Sequence, residues 1–137
     1  MPAGGSALPP VGNPLVGYWK QVVLERYAQF QGRANRPEYW WYALANFILF
    51  IALYVVALVF GQVADALGVI AVIVIIGAWL GLLIPTLAVA VRRLHDSDKS
   101  GWFLLFYFVP CVGGIIVLIF LVTAGTPGPN RYGAAAS

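Results

Sequence analysis

Three long apolar runs, at about 39–60, 67–91 and 102–124, leave this chain of 137 residues little freedom in how it folds. As helices, each spans a hydrocarbon core of ~30 Å. Apolar residues make up 61% of the chain and charged residues 9%, where an average soluble domain has about 25% charged. A soluble fold of this size has too little interior to hide that much apolar surface, whereas a bilayer solvates it. The fold class expected is therefore an all-α integral membrane protein forming one domain.

The segments around the runs refine this. Residues 1–17 are rich in proline and glycine and read as a flexible tail; they hold no apolar core, so the first span is expected to act as its own insertion signal. Residues 18–30 space Trp19, Val22, Val23, Tyr27 and Phe30 three or four apart, with Lys20, Gln21, Glu25 and Gln29 largely opposite. That pattern predicts an amphipathic helix lying in the membrane interface, with packing against the bundle as the alternative. Asn35 or Arg36 can precede the first span, Pro37 and Glu38 suit its first turn, and Trp40 and Trp41 are interface anchors. Pro85 is the expected kink of the second span, provided a neighbour satisfies the carbonyl it frees. Gly77 and Gly81 stand four apart and suit close helix packing, within the chain or between copies.

Between the second and third runs lies a polar hinge at residues 90–102. It contains Arg92, Arg93, Asp96, Asp98 and Lys99, five of the thirteen formally charged residues, and His95, the only histidine. Trp102 follows as a further anchor. The third run is interrupted by Pro110, Cys111, Val112, Gly113 and Gly114, so it is either one kinked span or a re-entrant hairpin. Three crossings are preferred, because a broken backbone exposed to lipid needs shielding that two spans hardly provide. Lys20, Arg26, Arg33 and Arg36 precede the first span and three basic residues lie in the hinge, while the first connection has none. The amino terminus and hinge are accordingly expected on the cytoplasmic side. The domain division is a tail at 1–17, a helical membrane domain at 18–133 and a short tail at 134–137.

Three separated motifs then line up: Phe30-x-Gly32-Arg33-x-x-Arg36-x-Glu38-Tyr39-Trp40; Arg92-Arg93-Leu94-His95-Asp96 leading to Ser100-Gly101-Trp102; and Pro127 to Gly133 in the tail. Together, over about residues 25–133, they closely resemble the bacterial membrane family known as domain of unknown function 805, the YhaH-type small inner-membrane proteins. Lys99 matches the basic residue that the family places before Ser-Gly-Trp, and Asp98 departs from its small or neutral one. The resemblance implies a bacterial inner-membrane location and several membrane passes. It implies no established activity.

The residues themselves argue against catalysis. His95 beside Asp96, with Ser97 or Ser100 as nucleophile, is the best constellation available, yet adjacent residues rarely present the geometry of a relay. His95, Asp96 and Asp98 as metal ligands are crowded by Arg92, Arg93 and Lys99, so neither metal nor cofactor is expected. The favoured reading is that Arg33, Arg36 and Glu38 pair with Arg92, Arg93, His95 and Asp96 across the helix ends, Glu38 with Arg92 or Arg93 and Asp96 with Arg33 or Arg36. Uncompensated positive charge then attracts anionic lipid headgroups. The expected function is a non-enzymatic membrane module that binds lipid or a membrane partner or associates with itself, without nucleic acid. A subunit of an oligomeric transporter or channel is the alternative.

Overall fold

The computed structural model describes residues 13–134. Helix α1 (Pro14–Lys20) runs on into one π-helical turn, Gln21–Glu25. Helix α2 (Arg36–Val63) and helix α3 (Asp65–Asp96) follow, then a 3-10 helix (Gly101–Phe108) and helix α4 (Gly113–Val122). The named elements of the described residues are all helical. Helices α2 and α3 are long and apolar enough to cross a membrane, reaching about 42 and 48 Å at 1.5 Å per residue. Ala64, in an extended conformation, is the only residue between them, so they return side by side. Their far halves are coated with exposed apolar side chains, as bilayer-facing helices are.

Helix α1 begins earlier than the hydrophobic pattern suggests. Asn13 accepts from the Leu15 and Val16 amides as an N-cap, and Pro14 fills the first helical position. Residues 13–17 thus belong to the folded unit rather than to a flexible tail; the rest of that tail and residues 135–137 lie outside the described residues. The helical stretch also stops at Glu25, short of Phe30, because the chain turns there to carry Arg26 inward. The segment docks on the helix pair. Val22 is fully buried with Ala34, Tyr42 and Val89, and Trp19 Nε1 donates to Asn46 Oδ1 at 2.8 Å.

Helix α3 continues through Pro85. Proline has no N–H, so the Gly81 carbonyl four residues earlier loses its helical donor. Tyr27 supplies the replacement, its hydroxyl donating to Gly81 O at 2.5 Å. Gly77 and Gly81 do not pack helices together within the chain, since a Cβ on either would meet nothing within 4 Å. The close approach of α2 and α3 is at Gly61 and Gly68, where a Cβ on Gly68 would sit 3.1 Å from the Gly61 Cα.

Residues 101–122 are not the single long helix that the third crossing preferred from sequence calls for. Eight residues of 3-10 helix reach about 16 Å and the ten of α4 about 15 Å, each half a hydrocarbon core. The chain reverses at residues 109–112, and both arms end beside the hinge. Gly113 makes the reversal feasible, because a Cβ there would overlap the Phe106 carbonyl. Its arms are seated on the hinge side, where Leu94, Val117 and Leu121 form a buried cluster packed by Tyr39, Trp40, Phe103, Leu104 and Phe120, while the reversal itself stays exposed. Trp40 Nε1 also donates to the Leu121 carbonyl at the end of α4.

Candidate functional site: a buried arginine–carboxylate cluster

All the polar motifs converge where α2 begins and α3 ends, around two carboxylates. Glu38 is held in the first turn of α2 by Asn35, which caps the helix and accepts from the Glu38 amide at 2.9 Å. Its carboxylate takes Arg26 Nη1 on both oxygens at 3.2 Å, and Arg92 Nη1 on Oε2. Arg92 also donates from Nε to the Gln29 carbonyl at 2.9 Å. Its Nη2 is buried without a partner among the described residues.

Asp96 is the second hub. Arg33 Nε reaches Oδ1 at 2.9 Å and Arg93 Nη1 reaches Oδ2 at 2.8 Å. Arg33 then spends its remaining N–H groups on carbonyls: Asp96 and Thr126 from Nη2, Gly128 and Gly133 from Nη1. All five donors of its guanidinium are matched. Arg93 donates to the carbonyls of Leu121, Ala34 and Thr123. Arg33, Arg92 and Arg93 are at most 1% exposed.

Four guanidiniums around two carboxylates leave two positive charges, and burying them uncompensated would be costly. Loop carbonyls provide the offset, so charge balance and chain path are one arrangement. The hairpin end and the tail lie where the arginines need acceptors. Gly125 lets the tail come close, because a Cβ there would overlap the Asp96 carboxylate. The Thr126 amide donates to the Asp96 carbonyl at 2.7 Å.

His95 lies at the edge of the cluster. Its Nδ1 donates to the Gly32 carbonyl at 2.9 Å, which puts the proton on Nδ1. The ring stacks flat on Tyr132, with centroids 3.8 Å apart, and its carbonyl accepts from Asn130 Nδ2 at 3.0 Å. The tail motif is therefore a clasp on the hinge, and Arg131 pairs with Asp98 at 3.2 Å. The hydroxyls near His95 are occupied as well: Ser97 donates to the Leu94 carbonyl, and Ser100 caps the Trp102 amide. Among the described residues no group of His, Cys, Asp and Glu could hold a metal ion.

Of the residues singled out by sequence, Arg33, Glu38, Arg92, Arg93, His95 and Asp96 come together. Lys99 does not join them; its ammonium bonds Ser97 and lies over the Phe120 ring, 5.4 Å from the centroid. Arg36 is exposed and has no ion-pair partner among the described residues. Trp40 is turned onto α4, whereas Trp41 is partly exposed and Trp102 is 76% exposed. Arg26 was missed as a member. Its signal was its position, four residues from both Val22 and Phe30, which places a lone charge on the apolar stripe of its segment. Asn130, Thr126 and Tyr132 join through backbone or ring contacts that no residue-type pattern announces.

Such a molecule belongs to the class of helical integral membrane proteins that fold around a buried polar knot at one end of their apolar helices. The chain is a member of the family described as "Protein of unknown function (DUF805)", whose model matches residues 27–134. It is 41% identical over 115 residues to the inner membrane protein YhaI of Escherichia coli K12, covering 84% of this chain and 92% of that one. To the inner membrane protein YhaH of the same organism it is 40% identical over 118 residues, covering 84% and 93%. No solved structure matches it. The matched span includes both carboxylates and five of the six arginines, leaving out Arg26.

Proposed function

We propose that the chain is a non-enzymatic, multi-pass inner-membrane module that acts by binding anionic phospholipid at its polar rim. In this reading it crosses the bilayer twice, with amino terminus, hinge and tail on the cytoplasmic side and residues 101–122 re-entering from there. The observation that carries it is how far the cluster satisfies itself, Arg92 Nη2 being left over. Four buried arginines and two carboxylates are committed to one another and to loop carbonyls, and His95, Ser97 and Ser100 to neighbouring backbone. Groups fixed in this way hold the fold; they do not turn over a substrate.

Sidedness follows from charge. Every lysine and arginine lies in the amino-terminal segment, the hinge or the tail, and the only charge beside the α2–α3 junction is Asp65, the first residue of α3. A transport pathway would want free polar groups at mid-depth. Asn46 and Thr86 are instead engaged by Trp19 and Tyr42.

Extraction into polymer-bounded native nanodiscs tests the binding. Anionic phospholipid should be enriched around the protein relative to the bulk membrane, and an unenriched shell would overturn the reading. Topology is tested separately with single cysteines at Ser6, Ser97 and Ser137 in a Cys111→Ala background. None should react with an impermeant thiol reagent on intact cells, and all should after permeabilisation. External labelling at Ser137 alone would restore three crossings.

A further inference from the structure

Arg36 is the one arginine of the two facing motifs that the cluster leaves out, and two cavities meet on it. One, of about 410 Å³, is polar and lies between the start of α2 and the tail, with Asn35 on one side and Gly125, Thr126 and Gly128 on the other. The second, of about 450 Å³, runs along α2 and is lined by Arg36, Pro37, Trp40, Trp41 and Leu44. Arg36 and Pro37 form the wall common to both. The groove is thus polar at one end, apolar and aromatic at the other, with a cation at the junction.

The nearby carboxylates do not neutralise that cation, because Glu38 and Asp96 each already hold two other guanidiniums. Trp40 is fixed as a wall by its bond to Leu121. The Trp41 indole N–H has no hydrogen-bond partner among the described residues, and its ring is 37% exposed. A free guanidinium, a free indole donor and an adjoining apolar channel match, in order, a phosphate, an ester-bearing glycerol and an acyl chain.

We propose that this composite groove is a binding site for one anionic phospholipid, its phosphate on Arg36 and one acyl chain along Pro37, Trp40, Trp41 and Leu44. The proposal rests on the lipid-binding reading above and gives it a site. A soluble phosphate would fill the polar part alone and leave the aromatic channel unused, so the lipid is the better occupant.

The test is native mass spectrometry of the purified full-length chain titrated with phosphatidylglycerol and, separately, phosphatidylcholine. Wild type should retain phosphatidylglycerol preferentially. R36Q should bind it about fivefold more weakly and lose most of the preference, while unfolding at the wild-type temperature, since the Arg36 side chain makes no hydrogen bond or ion pair among the described residues. Leu44→Trp, which fills the channel, should weaken both lipids and leave the preference intact. An undiminished preference in R36Q would overturn the site but not the lipid-binding reading; no preference in wild type would overturn both. Displacement of the lipid by inorganic phosphate as effectively as by phosphatidylglycerol would show a simple anion site and overturn the acyl-chain assignment.

Discussion

The two ends of the α2–α3 pair are built on opposite rules. At the end where α2 starts and α3 stops, the largest side chains hidden from solvent are arginines. At the other end leucine, valine and isoleucine face outward: Val63 is 72% exposed, Leu58 69% and Ile73 62%. In water this distribution would be inverted and unstable. In a bilayer it is the expected one, because lipid tails are as apolar as leucine and give little reason to bury it. Specific cohesion is therefore concentrated in polar contacts at one rim, and substitutions should matter according to their distance from it.

The largest effect is expected at Glu38. Glu38→Ala leaves Arg26 and Arg92 buried without their shared carboxylate, a loss of about 3–5 kcal/mol. Thermal unfolding in mild detergent, followed by helical circular dichroism, should fall steeply or the protein should fail to accumulate. A double-mutant cycle with Arg92→Ala sharpens this: the pair should cost clearly less than the sum of the single changes. Additive costs would mean that the ion pair is incidental and that the rim is not where cohesion lies.

Next is Gly125, whose only task is to let the tail backbone approach Asp96. Gly125→Ala forces the tail off the hub, at about 1–3 kcal/mol. It should also raise protease cleavage after Arg131 well above wild type. Unchanged proteolysis would separate the tail from the cluster and confine the polar knot to α2, α3 and the hairpin.

What the sequence disclosed follows the same division. The apolar runs were legible because bilayer length and hydropathy set them residue by residue. Pairing of Glu38 and Asp96 with arginines across the helix ends was legible too, since complementary charges at opposed termini have few other partners. The actual choice was not: Glu38 takes Arg92 and Arg26, Asp96 takes Arg33 and Arg93, and Arg36 is left outside. That depends on helix phase and on which carbonyls the hairpin end and tail bring close. The hairpin was one of two readings that the break at Pro110 left open, and the sequence could not choose it for a similar reason. Its arms are seated on Tyr39, Trp40 and Phe120, rings that sequence reads equally well as interface anchors or lipid-facing residues.

A smaller effect is expected at Tyr27. Tyr27→Phe removes the donor to the carbonyl that Pro85 leaves free, at about 1 kcal/mol. Combining it with Pro85→Ala should abolish that loss, because alanine restores the helical N–H to Gly81. A full penalty in both backgrounds would show that the hydroxyl acts elsewhere.

The smallest effect belongs to the far end. Leu58→Ala removes a large apolar side chain, a change that costs several kcal/mol in a packed core. Here the side chain leaves lipid rather than protein neighbours, and stability should move by no more than about 0.5 kcal/mol. Measured alongside Glu38→Ala, this is the sharpest test of the contrast, since a conservative view of leucine and glutamate predicts the reverse order. A loss comparable to a core truncation would mean that Leu58 is covered after all. No described residue covers it, so another protein surface would be the cover to look for, and the exposed Gly77 and Gly81 face of α3 would then become the first place to seek a second copy of the chain.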